Sequence, residues 1–378
     1  MARLTRAESQ ERNRARVLSA AREEFTELGF REAKIDGIAE RAGLTRGAVY
    51  SNFPGKRALY FAVLAELAVR EPRAPGPEAA RDARDARTAL GAFARAWVGR
   101  LPLATDDGPG AARLAMDLMP EILADERTRR PFAQLMKLDA ILLGLALERL
   151  APPGSPPVRQ VRVAEAALTT LHGATQMATA APGFIEPFDV VSVCERLVGA
   201  ELGGGWPITP PVPPARPADD PWNPPSPGTA GPIDMVRGEP ARLGGDGVVA
   251  ILGLHRLEAV EEAVRAAPPG AEITAVMVTG DPGELAPLAR LVVTDLCGCL
   301  RESFPPAAWP RLRVVLDESG AVAAAAGVPS AGDSTETAVR VAGGRIAARA
   351  DGRGACHAAA SAAVSPAPPG RPRARRQN

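Results

Sequence analysis

Apolar positions recur at helical spacing through most of the first two hundred residues. Val17, Leu18, Ala21, Phe25 and Leu28 fall on one face at i, i+3, i+4, and Gly29 stands where a helix exit belongs. Further helices are predicted at about 57–70, 80–101, 111–124, 131–150, 158–180 and 188–202. The breaks between them hold Pro72, Pro75, Pro77, Pro152, Pro153 and Pro182. Beyond residue 232 the period changes. Short β-branched and aliphatic runs at 248–254, 272–279 and 312–316 alternate with helical runs at 257–267 and 284–302. Two strands, 337–341 and 345–350, flank Gly343-Gly344 in the manner of a type I′ or II′ hairpin, and a last helix covers 355–364. The order β-α-β-α-β-β-β-α predicts an α/β domain with a mixed sheet.

The two regimes are separated by a proline-rich stretch. From Pro207 to Pro232 there are 11 prolines, each fixing φ and removing an N–H, so neither helix nor sheet is expected to run through it. The organisation predicted is a head at 1–64, a helical domain at 65–202, a linker at 203–232, an α/β domain at 233–364 and a disordered basic tail at 365–378.

Composition narrows the classes. Of 378 residues, 45 are Lys or Arg and 44 Asp or Glu, for a net charge of +1, which excludes a wholly basic nucleic-acid coat but permits a local basic patch. Residues 1–60 hold 12 Lys/Arg against eight Asp/Glu, a surplus of +4. Four cysteines, Cys194, Cys297, Cys299 and Cys356, are too few and too scattered for a disulfide framework or a four-ligand zinc site, so no metal or cofactor is expected. No window has ~18 uninterrupted apolar residues, and no signal-peptide core precedes the first helix. A cytoplasmic protein with reduced thiols, off the membrane, is the expectation.

The stretch 35–59, IDGIAERAGLTRGAVYSNFPGKRAL, carries the chemistry. Ile35, Ile38, Ala39 and Ala42 make a short amphipathic helix that exits at Gly43. Leu44 turns inward, and Thr45 is a natural N-cap for a second helix that buries Val49 and Phe53. A short helix after a Gly turn is the geometry of a helix-turn-helix, whose second helix enters the major groove. Outward it presents Arg46, Gly47, Ala48, Tyr50, Ser51 and Asn52. Arg46 suits guanine O6 and N7, and Gly47 and Ala48 let the backbone approach the groove floor. Tyr50 and Asn52 suit phosphate oxygens, as does Lys56 at the start of the next helix.

These residues resemble the DNA-binding domain of TetR/AcrR-type transcriptional regulators. VLSAAREEFTELGF, IAERAGL, TRGAVYSNF and PGKRALYFAVL stand for its four helices, and the Tyr50-x-x-Phe53-x-x-Lys56-x-x-Leu59 spacing is specific. The family usually has Thr before its second helix. Here Ala33 and Lys34 stand there, which implies a weaker cap, with Lys34 turned to a phosphate. The resemblance implies a dimeric repressor of a palindromic double-stranded operator, relieved by a small-molecule effector bound in an all-α domain. Helices 158–180 and 188–202 are the expected dimer contact. Phe93, Trp97, Met116, Met119, Phe132, Met136, His172 and Gln176 are the candidate pocket residues.

The C-terminal part resembles a thioredoxin- or peroxiredoxin-type fold in topology, through Leu316-Asp317-Glu318-Ser319-Gly320 and the Gly343-Gly344 hairpin. An active member needs a low-pKa Cys at the N-terminus of the helix after the first central strand. Leu254-His255-Arg256-Leu257-Glu258 supplies none, so no enzyme is expected. The alternative is a thioredoxin-like redox enzyme, or a redox-sensing regulator using Cys297 and Cys299.

Overall fold

The computed structural model describes residues 5–70, 85–101, 114–152, 154, 158–200, 202, 214–226 and 231–363. The basic tail expected at 365–378 and the first part of the proline-rich stretch, 203–213, lie outside the described residues.

Helix α1 (Arg6–Glu32) opens with a reciprocal capping box. The Thr5 hydroxyl accepts from the Glu8 N–H, and the Glu8 carboxylate accepts from the Thr5 N–H. It kinks at Gly29, whose φ of 74° and ψ of 169° leave the helical region. The kink corrects one expectation: Leu28 is 48% exposed, and Phe30 takes the place in the core. Helices α2 (Ile35–Ala42), α3 (Arg46–Tyr50) and α4 (Lys56–Arg70) complete the head. Phe25, Phe30 and Tyr60 pack ring to ring at its centre, with Tyr60 edge-on to Phe25 at 5.5 Å.

The helical domain follows with α5 (Ala86–Val98), a 3-10 turn at Ala115–Asp117, α6 (Leu118–Leu123), α7 (Glu126–Glu148), α8 (Val161–Ala180) and α9 (Pro187–Leu197). The pair α8 and α9 occupies most of the spans expected for the dimer helices. A row of large apolar side chains there faces outward: Met177, Phe184, Phe188 and Val193, with Phe184 71% and Phe188 77% exposed.

The C-terminal region is built on a six-stranded sheet of order β1-β8-β7-β4-β5-β6. Its strands are β1 (Arg216–Pro221), β4 (Gly247–Gly253), β5 (Glu272–Val278), β6 (Leu312–Leu316), β7 (Glu336–Ala342) and β8 (Arg345–Asp351). A two-stranded ribbon joins β2 (Ile233–Asp234) to β3 (Glu239–Pro240). Strands β4, β5 and β6 run parallel, and β7, β8 and β1 are antiparallel additions. Along β4 the side chains alternate, Val248, Ala250 and Leu252 into one core and Val249 and Ile251 into another, which is why the strand is apolar throughout. Helices α10 (Val260–Ala266), α11 (Leu285–Ser303), α12 (Ala321–Ala325) and α13 (Ala355–Ser361) complete the region. Gly343 and Gly344 have φ of 57° and 73°, the two positive values of a type I′ turn.

Two departures matter. Strand β1 lies inside the stretch expected to hold no sheet. It is tolerated because it sits at the sheet edge, paired only to β8, with a register shift between Pro217 and Asp220. The α/β region is also not held off by its linker. Helix α11 packs directly on α4, α5 and α7, and one continuous apolar core runs from the head through both regions.

Candidate nucleic-acid interface and an internal cavity

The turn between α2 and α3 is set by two residues. Gly43 takes φ 59° and ψ 41°, and its N–H closes on the Ala39 and Glu40 carbonyls. A Cβ there would also stand 2.9 Å from the Arg16 guanidinium, which donates to the carbonyls of Ala42 and Gly43. Thr45 then caps α3, its hydroxyl accepting from Ala48 N–H at 3.2 Å. Helix α2 has no such device: Lys34 is its N-cap and makes no side-chain cap bond. Arg41 braces α2 against α1 through Glu24 and Glu27, with Glu24 itself buried.

Helix α3 is one turn and a half, shorter than the predicted 46–53 segment. It buries Val49, and Phe53 follows it into the core under the Arg14 guanidinium, 4.5 Å from its ring centre. Thr45, Arg46, Gly47, Tyr50 and Ser51 are exposed, Ala48 and Asn52 half-buried, and Lys34 is exposed at the N-cap of α2. The Arg46 guanidinium leans on the Tyr50 ring at 5.5 Å and lies 3.5 Å from Asp36. These are loose surface contacts that a base edge can replace. Ser51 and Asn52 both donate to the Ala48 carbonyl. Lys56 is turned the other way: its ammonium donates to the Arg31 carbonyl at 3.0 Å and sits 4.5 Å over the Phe30 ring, tying α4 to the end of α1. Burial there lowers its pKa. Arg46 and Lys34 are thus exposed, whereas Lys56 is half-buried and engaged within the fold.

The family model for bacterial regulatory proteins of the tetR family matches residues 17–63, from the middle of α1 into α4. The transcriptional regulator SrpR of Pseudomonas putida is 51% identical over 65 residues, 17% of this chain and 30% of its own length. TtgW, an uncharacterised HTH-type transcriptional regulator also from Pseudomonas putida, is likewise 51% identical over 65 residues, 17% of this chain and 48% of its own length. The chain thus spans less than half of each of these relatives. The N-terminal domain is of the TetR family. A solved TetR transcriptional regulator from Rhodococcus sp. RHA1 is similar at 21% identity and a TM-score of 0.33, over 50% of this chain and 94% of its own.

Behind the TetR-type head, α4 runs into the wall of a cavity of about 450 Å³. Of the eight residues expected to line a pocket, Trp97, Met119, Phe132, His172 and Gln176 do so. Phe93 is packed into the core against Trp97, Met116 is exposed, and Met136 packs on the core away from the cavity.

Sequence reasoning missed the polar end of this cavity. Arg100, just past α5, pairs with Asp295 of α11 and reaches the Cys299 sulfur at 2.8 Å. Asp139 of α7 is 3% exposed, and its Oδ1 has no hydrogen-bond partner. Burial, with Asp295 adding to it, pushes the Asp139 carboxyl well above its usual range. Burial also lowers the pKa of His172, which stands edge-on to Trp97 at 4.9 Å. A lone Asp in the apolar run LMKLDAILLGLAL was the available signal.

The cysteines do not form a paired site. Cys297 and Cys299 are both fully buried within α11. Two residues apart on a helix they point about 200° around the axis from each other, so a bond between them requires unwinding the helix. Cys194 is pushed up to about 11 by burial and by Glu195, the reverse of a reactive thiol. Among the described residues no His/Cys/Asp/Glu cluster could hold a metal ion, and no helix is long and apolar enough to cross a membrane.

Proposed function

We propose that this chain is a sequence-specific DNA-binding transcriptional repressor, acting as a homodimer on a palindromic duplex and released from it by a small molecule in the internal cavity. The observation that carries the reading is the exposed face of α3, capped by Thr45 and fronted by Arg46, on a head of TetR-family sequence. Arg46 reads a base edge, the small Gly47 and Ala48 admit the backbone, and Tyr50, Ser51, Asn52 and Lys34 contact phosphates. The outward apolar row on α8 and α9 supports an isologous two-fold contact, which sets two reading heads side by side.

Release works through α4 and the 3-10 turn. Helix α4 carries Lys56 at the head and Leu64, Leu67 and Ala68 at the cavity. Asp117, between the lining residues Ala115 and Leu118, accepts from the Phe30 N–H at 3.1 Å and so grips the kinked end of α1. A ligand that shifts this wall shifts both helices of the head and the spacing of the two α3 helices.

For the α/β region we infer a thioredoxin-like fold without the reactive thiol. Its support is the parallel β4–β5 pair beside the antiparallel β7–β8 hairpin, with α13 behind.

The test is selection of bound duplexes from a random pool at fixed salt. A palindrome with half-sites about one helical turn apart is expected. Arg46→Ala relaxes specificity at one position per half-site by about 1–3 kcal/mol. No preferred duplex, or a preference untouched by Arg46→Ala, removes the reading.

A further inference from the structure

The cavity has an apolar body and a charged end whose balance is uneven. Leu64 and Leu67 of α4, Met119 of α6, Phe132 of α7 and Leu291 and Leu296 of α11 supply apolar walls. At the other end, the Arg100 guanidinium is already matched by the Asp295 carboxylate. Asp139 remains a second acid, buried, facing the cavity with one oxygen unbonded. His172, its pKa lowered by burial, adds no positive charge. A buried polar atom without a partner is costly, and a carboxylate is satisfied by a cation that brings N–H donors.

We propose that the cavity binds an apolar molecule carrying a protonated amine at one end, the amine held by Asp139, with α11 of the α/β domain as one wall. This deepens the reading of the cavity as the regulator's ligand site. Three observations bear on the ligand's charge. An anion entering here meets Asp139 and Asp295, and of the Arg100 guanidinium, paired to Asp295 and Cys299, only Nε is left without a partner. A neutral molecule leaves the Asp139 pair unformed. A cation gains Asp139 and the Phe132 ring, which lines the cavity and attracts positive charge, while the Trp97 ring already carries Arg100 at 5.3 Å. The volume of about 450 Å³ falls in the range of drug-sized ligands. The α11 wall makes the site a joint one: Leu291, Val292, Asp295 and Leu296 come from the α/β domain, and the helical domain alone leaves the cavity open on that side.

The test uses the full chain and three probes with the same ten-carbon tail, decylammonium, decanol and decanoate, followed by titration calorimetry below their micelle concentrations. Decylammonium is expected to bind at least about tenfold more tightly than the other two. Asp139→Asn, which keeps the shape and removes the charge, should bring decylammonium down to the level of decanol. Leu291→Trp, which fills the cavity from the α/β side, should weaken all three together. The proposal is overturned by decanol or decanoate binding as well as the amine, by no amine binding, or by either variant leaving it unchanged. Duplex binding measured on the same samples separates the two readings. Amine binding without any duplex preference sinks the repressor and leaves the site, and the reverse sinks the site alone.

Discussion

The head and the cavity handle polar groups in opposite ways. In the head each buried polar element is answered within the fold: Glu24 by Arg41, the α3 N-terminus by Thr45, the end of α1 by Lys56 and Asp117. The α3 side chains proposed to meet DNA stand outside, where water satisfies them. In the cavity a carboxyl is sealed from water with an oxygen unbonded. A surface that reads a duplex can be stable when empty. A cavity that selects a charged molecule carries an internal cost until it is filled.

That contrast can be broken by substitution. The largest effect is expected from Phe25→Ala, which empties the aromatic centre of the head: a loss of about 3–5 kcal/mol in chemical denaturation, with duplex binding lost at the same time. Asp139→Leu should act with the other sign, stabilising the empty protein by about 1–3 kcal/mol because an unpartnered buried carboxyl is removed. A destabilising outcome means Asp139 is bonded in solution and the contrast is wrong. Thr45→Ala should cost about 1 kcal/mol through the lost cap, seen as a lower melting temperature. The smallest effect is expected for Lys34→Ala. Stability holds, and the slope of log affinity against log salt falls by about one.

How much of this was legible follows the same division. Thr45, Gly43 and Val49 announce their roles locally, because caps, left-handed exits and one-turn helices are decided within a few residues. The succession of strands β4 to β8 and helices along the α/β region was legible for the same reason, through β-branched runs and a Gly-Gly turn, whereas their order within the sheet was not. Strand β1 was not, since Pro217 and Pro221 exclude only the interior of a sheet and an edge position is a tertiary fact. The cavity was half legible. Trp97 and His172 stand out as rare residue types, whereas the α11 wall faces α4 from more than two hundred residues away along the chain, as the Arg57–Glu284 pair does. No local pattern encodes such a meeting.

Arg57 sits where these regions converge. In the first turn of α4, it holds Asp125 at the start of α7 at 3.0 Å and Glu284 at the start of α11. With an apolar core continuous from head to sheet, this clasp is expected to make the three regions melt together. Heating should therefore show one calorimetric transition, and a chain severed at its prolines forfeits the flank on which α4 rests. The α/β region is thus a splint for α4, not a passenger carried behind it.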